Sequence, residues 1–350
     1  MTPHPRHHHQ SEPAEPAKTD AIVTGFLALQ ARNAAEQGRS LRRGTHAKGV
    51  CARACFEVLD LAHEHPPALA RRLAWGLCAR PGVYPARLRF ANADPNVNSD
   101  WQPDVRSLAL AVDLGLPTRA GALDEPARQD YSMQSAPTLP FNNVAAFVAF
   151  AKVAGARNET VALGAMPWRE QLAYAQTQAA ISAQQRQPVR PYQSLRYWSN
   201  VPFAHGPDEV VKYSAWPLAG NPAQALDAAN PDALGAELAR HLGADATLAG
   251  FDFGLQLLDA RAMRHQGRQR EAGFWIENAA VEWPEAQAPF YRVATIRLLR
   301  ASASADGAAD CQALAFDVTG NALADSAPLG AINRARGHAE LASRRARGQA

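Results

Sequence analysis

Alternation of apolar and polar residues at a period of two recurs along this chain without a regular helix between successive stretches, and this limits the architectures open to it. The pattern runs from Phe56 to Val58 and through "ARLRFANA", "RSLALAVDL", "DEVVKYSAWP", "GFDFGLQLLD", "AAVEWP" and "YRVATIRLLR". Each reads as a half-buried strand. Strands that do not alternate regularly with helices favour an antiparallel sheet or barrel with helical insertions over a doubly wound parallel sheet. The insertions are legible too. "PPALARRLAWGLCARPG" has a Pro start and a Pro-Gly end, "NVAAFVAFAKVAG" stops at Gly155, and "MPWREQLAYAQTQAAISAQQRQ" continues the helical spacing. Ile22, Phe26 and Leu29 mark an earlier amphipathic helix with Gly38 as its stop, and residues 332–350 read as a terminal basic helix. "ASASADGAAD" reads as a surface loop.

With 350 residues, 47% of them apolar, the chain can bury a large single core. Its 36 basic and 33 acidic residues are too evenly matched to predict a nucleic acid or a membrane surface as partner. No apolar run reaches the ~18 residues of a membrane span, and the N-terminal stretch lacks the apolar core of a secretory signal. Cys51, Cys55, Cys78 and Cys311 are few and scattered, so they predict neither a disulfide framework nor a zinc site and suit a reducing cytoplasm. Residues 1–20 are polar and Pro-rich, and are expected to form a disordered tail with His7, His8 and His9 solvated, ahead of one domain over 21–350.

One segment carries more specific information. From Arg43 to Val58 the sequence "RGTHAKGVCARACFEV" resembles, without a gap, the signature around the distal histidine of haem catalases. "LRFANA", "VRSLALAV", "DYSMQSAPTLPFNNVAAFVAF", "YWSNVPFAHG" and "APLGAINRARGHAELASRRAR" are similar to successive catalase segments, so the resemblance covers roughly Ile22 to Arg347. It is closest to the small catalase-like branch. It implies an α+β fold, the catalase-type antiparallel β-barrel with helical insertions and a C-terminal helix. It also implies haem b, a hydrogen peroxide or organic peroxide substrate, a homo-oligomer and a part in oxidative stress.

Residue by residue, the resemblance makes His46 the distal acid/base, and an imidazole titrating near neutrality suits a group that must both take and return a proton. Arg43, Arg89 and Arg347 match positions that anchor haem propionates, which planar guanidinium groups bind well. Phe147 falls where catalases pack a ring near the haem. The chain departs from the family at four positions. Ser135 stands at the peroxide-orienting asparagine, preceded by Gln134; Ala91 replaces the serine that supports the distal imidazole, so His46 is expected to lose a partner; Thr45 replaces a valine. The tyrosinate that holds catalase iron is replaced, on the same spacing from Arg336, by Glu340, and no tyrosine follows Tyr291. His338 is the alternative iron ligand, though it lies about 200° round the helix from Glu340. An Arg336–Glu340 ion pair is expected there. The sequence therefore points to a haem-dependent weak catalase or peroxidase, with a catalase-fold binding or structural protein lacking haem chemistry as the alternative.

Overall fold

The computed structural model describes residues 14–38, 44–115, 128–220, 224–243 and 249–348. Eight antiparallel strands form a closed barrel: β1 (Gly49–Val58), β2 (Gly82–Asn92), β3 (Arg106–Asp113), β4 (Arg128–Gln134), β5 (Tyr197–Trp198), β7 (Glu209–Pro217), β8 (Gly250–Leu257) and β11 (Phe290–Leu298). β6 (Phe203–His205) adds to β7 and β12 (Ser304–Ala305) to β1, while β9 (Arg264–His265) and β10 (Arg268–Gln269) make a separate hairpin. The barrel closes where Ala54–Val58 pair with Leu298–Ala294. Closure leaves β1 without a free edge over this stretch.

Period-two alternation aims one set of side chains inward, and here that set is aromatic. Tyr131 lies 5.0 Å from the ring of Tyr213 and 5.1 Å from that of Phe253, and Phe56 lies 5.3 Å from Phe253. Rings at these separations fill the interior, so the barrel is a core and not a pore. Any binding site has to lie outside it.

The helices supply that site. α1 (Glu15–Glu36), α4 (Val144–Ala154), α6 (Trp168–Gln185) and α10 (Ala331–Ala346) pack together, with α1 touching both α4 and α10. The remaining helices are α2 (Leu61–Glu64), α3 (Pro67–Leu73), α5 (Glu159–Gly164), α7 (Ala233–Gly243), α8 (Ala272–Glu277) and α9 (Ala309–Gln312). α4 starts where the Asn143 side chain accepts the Ala146 N–H at 3.0 Å and ends at Gly155. α1 crosses α4 at Gly25, where a Cβ would overlap the carbonyl of Ala151.

Several expectations are corrected. α1 begins at Glu15, inside the stretch expected to be a tail, because Glu15 is buried in an ion pair with Arg334 of α10 at 2.6 Å; His7, His8 and His9 lie outside the described residues. "AAVEWP" is not a strand: Trp283 is an anchor, its indole N–H donating to the Trp275 carbonyl at 3.1 Å. The Ala-rich loop carries β12 and α9. Cys51 and Cys311 form a disulfide, so these two are not thiols, and Cys55 and Cys78 are the free ones. A structural disulfide is at home in an oxidising compartment, which removes the argument for a reducing cytoplasm. Among the described residues no helix is long and apolar enough to cross a membrane.

Two predictions follow from this packing. Closing a segment of 260 residues removes chain entropy from the unfolded state, so Cys51→Ala with Cys311→Ala should cost about 2–4 kcal/mol in denaturant unfolding; an unchanged midpoint would contradict it. Gly25→Ala gains about 1 kcal/mol of helix propensity but meets a backbone carbonyl that cannot swing aside. Overpacking of about 1–3 kcal/mol outweighs the gain, and calorimetry should show a lower melting temperature.

Candidate functional site

His46 lies on the segment that enters β1, with φ of +58°, a left-handed conformation that a residue with a Cβ seldom adopts. Its backbone is held at both ends: the N–H donates to Ala93 O at 3.3 Å, and the carbonyl accepts from Arg89 Nη2 at 2.9 Å. The imidazole Nδ1 lies 3.0 Å from Thr45 Oγ1. The expectation that His46 loses its partner through Ala91 is therefore corrected. A hydroxyl supplied by the preceding residue takes up the ring nitrogen, and it can donate or accept according to the tautomer.

The ring is half-buried at a cavity of about 440 Å³ between the barrel end and the helices α1, α4, α6 and α10. Its size is in the range of cofactor and small-molecule pockets. His46 and Thr45 from the barrel end, Gln134 from β4, Phe147 from α4, and Arg336 and Glu340 from α10 all line it. Phe147 is fixed there by stacking on Phe141 at 4.4 Å and meeting Phe26 edge-on at 5.6 Å.

Other expected residues stand elsewhere. Ser135 is buried away from the cavity, its hydroxyl accepting the Arg106 N–H at 2.9 Å and its own N–H donating to Arg106 O. Gln134 reaches the cavity in its place, and among the described residues its amide makes no hydrogen bond. Arg89 is buried on the outer face of the barrel in an ion pair with Asp306 at 2.8 Å, outside the cavity lining. Arg347 donates to Gln30 Oε1 at 2.8 Å and to the Ser343 hydroxyl, whose residues form part of the rim. Arg43 lies outside the described residues. His338 is exposed on another face of α10, which corrects its candidacy as a ligand aimed into this cavity.

Glu340 is the unusual group. Arg336 and Glu340 both line the cavity, but among the described residues neither makes a hydrogen bond or ion pair, so the expected bond between them is absent there. Burial pushes the Glu340 carboxyl above its ordinary value, and the Arg336 charge offsets only part of that. Asp104, in the same wall, is likewise raised by burial although it accepts the N–H groups of Asp94 and Val105.

This donor set bears on haem, the group the resemblance implies. Among the described residues no three His, Cys, Asp or Glu side chains gather to hold a bare metal ion. A haem needs less from the protein: an apolar slot and one axial donor. Glu340, a carboxyl oxygen donor left without a polar partner in a cavity that Phe147 and Phe141 also line, fits that need. The residues present fit the group, with the propionate anchors less well provided because Arg89 is engaged by Asp306.

No family pattern matches the chain, and no curated protein resembles it in sequence. Solved structures do resemble it. A fungal catalase superposes with a TM-score of 0.64 at 14% identity, over 88% of this chain and 60% of that one. A bacterial catalase gives 0.58 at 17%, over 87% and 56%, and catalase A from Saccharomyces cerevisiae 0.58 at 14%, over 87% and 60%. The chain has the catalase fold, and spans somewhat over half the length of these catalases.

The raised carboxyl generates a pH prediction. A carboxyl whose folded-state pKa lies above its unfolded value binds its proton more tightly when folded, so its contribution is favourable at low pH and is lost as pH rises through the folded pKa. Glu340→Gln, which cannot ionise, should therefore raise the melting temperature at pH about 7 and change it little below pH about 4, where both forms are neutral. A lower melting temperature at neutral pH would show that the carboxylate is stabilised by a partner.

Proposed function

We propose that this chain is a haem-dependent peroxide-processing enzyme, a weak catalase or peroxidase, with His46 as its acid/base. The observation that carries the reading is the convergence of His46, Gln134, Phe147, Arg336 and Glu340, drawn from the whole length of the chain, on one cavity outside a filled barrel. A bound haem would supply the iron at which a peroxide is activated. Glu340 would be the side chain to hold it, Phe147 and Phe141 would wall its face, and Arg336 would be a cation beside the carboxyl.

The chain's own residues would do the following. The His46 imidazole would accept a proton from one peroxide oxygen and return it to the departing one, with Thr45 Oγ1 at Nδ1 orienting the ring. Gln134 offers an amide donor and acceptor to orient the peroxide, the task expected of Ser135. The apolar walls exclude water and strengthen these contacts. Hydrogen peroxide and organic peroxides are both substrates of this class, and a homo-oligomer is part of the same proposal.

A second reading has one observation in its favour. Arg89 is engaged by Asp306, so a propionate anchor is missing and the fold could serve as a binding protein without haem chemistry. Purification from haem-replete cells separates the two, since a haem protein has an intense near-ultraviolet absorption band that a haem-free one lacks. In the haem-bound protein, His46→Ala should leave that band in place and lower peroxide turnover about 10²-fold or more. Unchanged turnover would remove His46 from the mechanism.

A further inference from the structure

Arg89 and Cys51 are register partners on β2 and β1, so their side chains leave the outer face of the barrel side by side. From there Arg89 turns back along the strands. Its Nη2 reaches the His46 carbonyl at 2.9 Å while Nε binds Asp306 Oδ1 at 2.8 Å. The path runs over Gly49, where a Cβ would sit 2.8 Å from the guanidinium carbon. The glycine that opens β1 leaves room for both the Arg89 guanidinium and the Phe90 carbonyl.

Asp306 is held in turn. It follows β12, which pairs with β1 through Val50–Ala305 and Cys51–Ser304. Its backbone carbonyl accepts the Gln312 amide, and Cys311 Sγ lies 3.7 Å from its Oδ1. The Cys51–Cys311 disulfide ties α9, and with it the Asp306 turn, to the strand beside Arg89. At the far end of this chain of contacts stands a left-handed His46, a conformation costing about 1–3 kcal/mol that persists only where its surroundings impose it.

We propose that Arg89, anchored by Asp306 and clamped by the Cys51–Cys311 disulfide, is a positioning residue for His46, and that reducing the disulfide loosens its hold on the imidazole. The functional consequence rests on the reading of His46 as the proton-moving group; the positioning does not. Reduction would be balanced by a dithiol, which gives up two electrons and two protons and closes to its own disulfide, leaving Cys51 and Cys311 as thiols. Freed from Cys51, α9 and the Asp306 turn can move, the Arg89 fork loses one of its two acceptors, and the His46 carbonyl is pinned less firmly.

The test reads the His46 ring in the full-length protein, independently of turnover. Carbethoxylation by diethyl pyrocarbonate, followed by peptide mass spectrometry, reports its accessibility, and ¹⁵N chemical shifts report which ring nitrogen carries the proton. Asp306→Asn, the Cys51→Ala and Cys311→Ala pair, and dithiol treatment of the parent should each raise the His46 modification rate on the order of tenfold and change its ring shifts. Asp306→Glu should restore both, and the cysteine-free variant should no longer respond to dithiol. Arg89→Lys should behave like Asp306→Asn, because an ammonium cannot span two acceptors as a fork does. His205, buried and bonded to Leu73 O at 2.9 Å, is the internal control. The proposal is overturned if His46 reacts in these variants as in the parent, or if His205 accelerates equally, which would mean general loosening. A protein that takes up no haem would defeat the proposed function while these ring measurements still decide the positioning.

Discussion

Pairing of β1 with β11 turns a curled sheet into a closed barrel, and the rest of the molecule is arranged around the strand that makes it. β1 presents Val50, Ala52, Ala54 and Phe56 to the interior. Its other face carries Gly49 and Cys51, hence both the passage for Arg89 and the disulfide. Its entry is His46. A shift of one residue in its register would exchange these faces, putting the cysteine into the aromatic core and removing the glycine from beneath the guanidinium. Barrel closure and the placing of the candidate acid/base are thus one constraint.

Because the interior is filled by rings, the site is built from what surrounds the barrel end, and there helices compete for room. Gly25 lets α1 lie against α4, the Glu15–Arg334 pair draws α1 to α10, and the space left among them and α6 is the cavity. Its walls mix apolar rings with polar and charged side chains, and where those polar groups are buried their charges are weakly screened. Glu340 in such surroundings is costly unless something comes to compensate it. That cost is what makes a carboxyl at this point informative about the ligand.

Strands with strong alternation were legible from the period-two pattern: "RSLALAVDL" matches β3 and "YRVATIRLLR" matches β11, each within a residue or two. The front of β1 was not, since "GVCARAC" buries Val50, Cys51 and Ala52 in succession and is made of small residues that carry little hydropathy contrast. α1 reaches back to Glu15 through an ion pair with a residue over three hundred positions away, which no local pattern reveals. At the site, the residues that share the cavity came from register with a family signature. Ser135 lies off the cavity for a simple reason: adjacent residues leave a strand in opposite directions, and it is Gln134 that faces the cavity. The pairing of Arg89 with Asp306 was not legible because Asp306 lies in an Ala-rich stretch without any motif. The pairing of Cys51 with Cys311 is a choice among connectivities that spacing does not determine.

The β1–β11 seam also has a consequence for how the molecule comes into being. Ala54 must wait for Leu298. At translation rates of about 5–20 residues per second, the edge of β1 stays unpaired for roughly 10–50 s after it leaves the ribosome. For that interval the nascent chain is an open sheet with an aromatic face and a free strand edge, the kind of surface on which another chain can dock. Cys51 waits equally long for Cys311, while Cys55 and Cys78 emerge soon after it. Biosynthesis of this protein is therefore paced by its last strand, and the open edge of β1 and the waiting thiol of Cys51 persist until that strand and α9 have emerged.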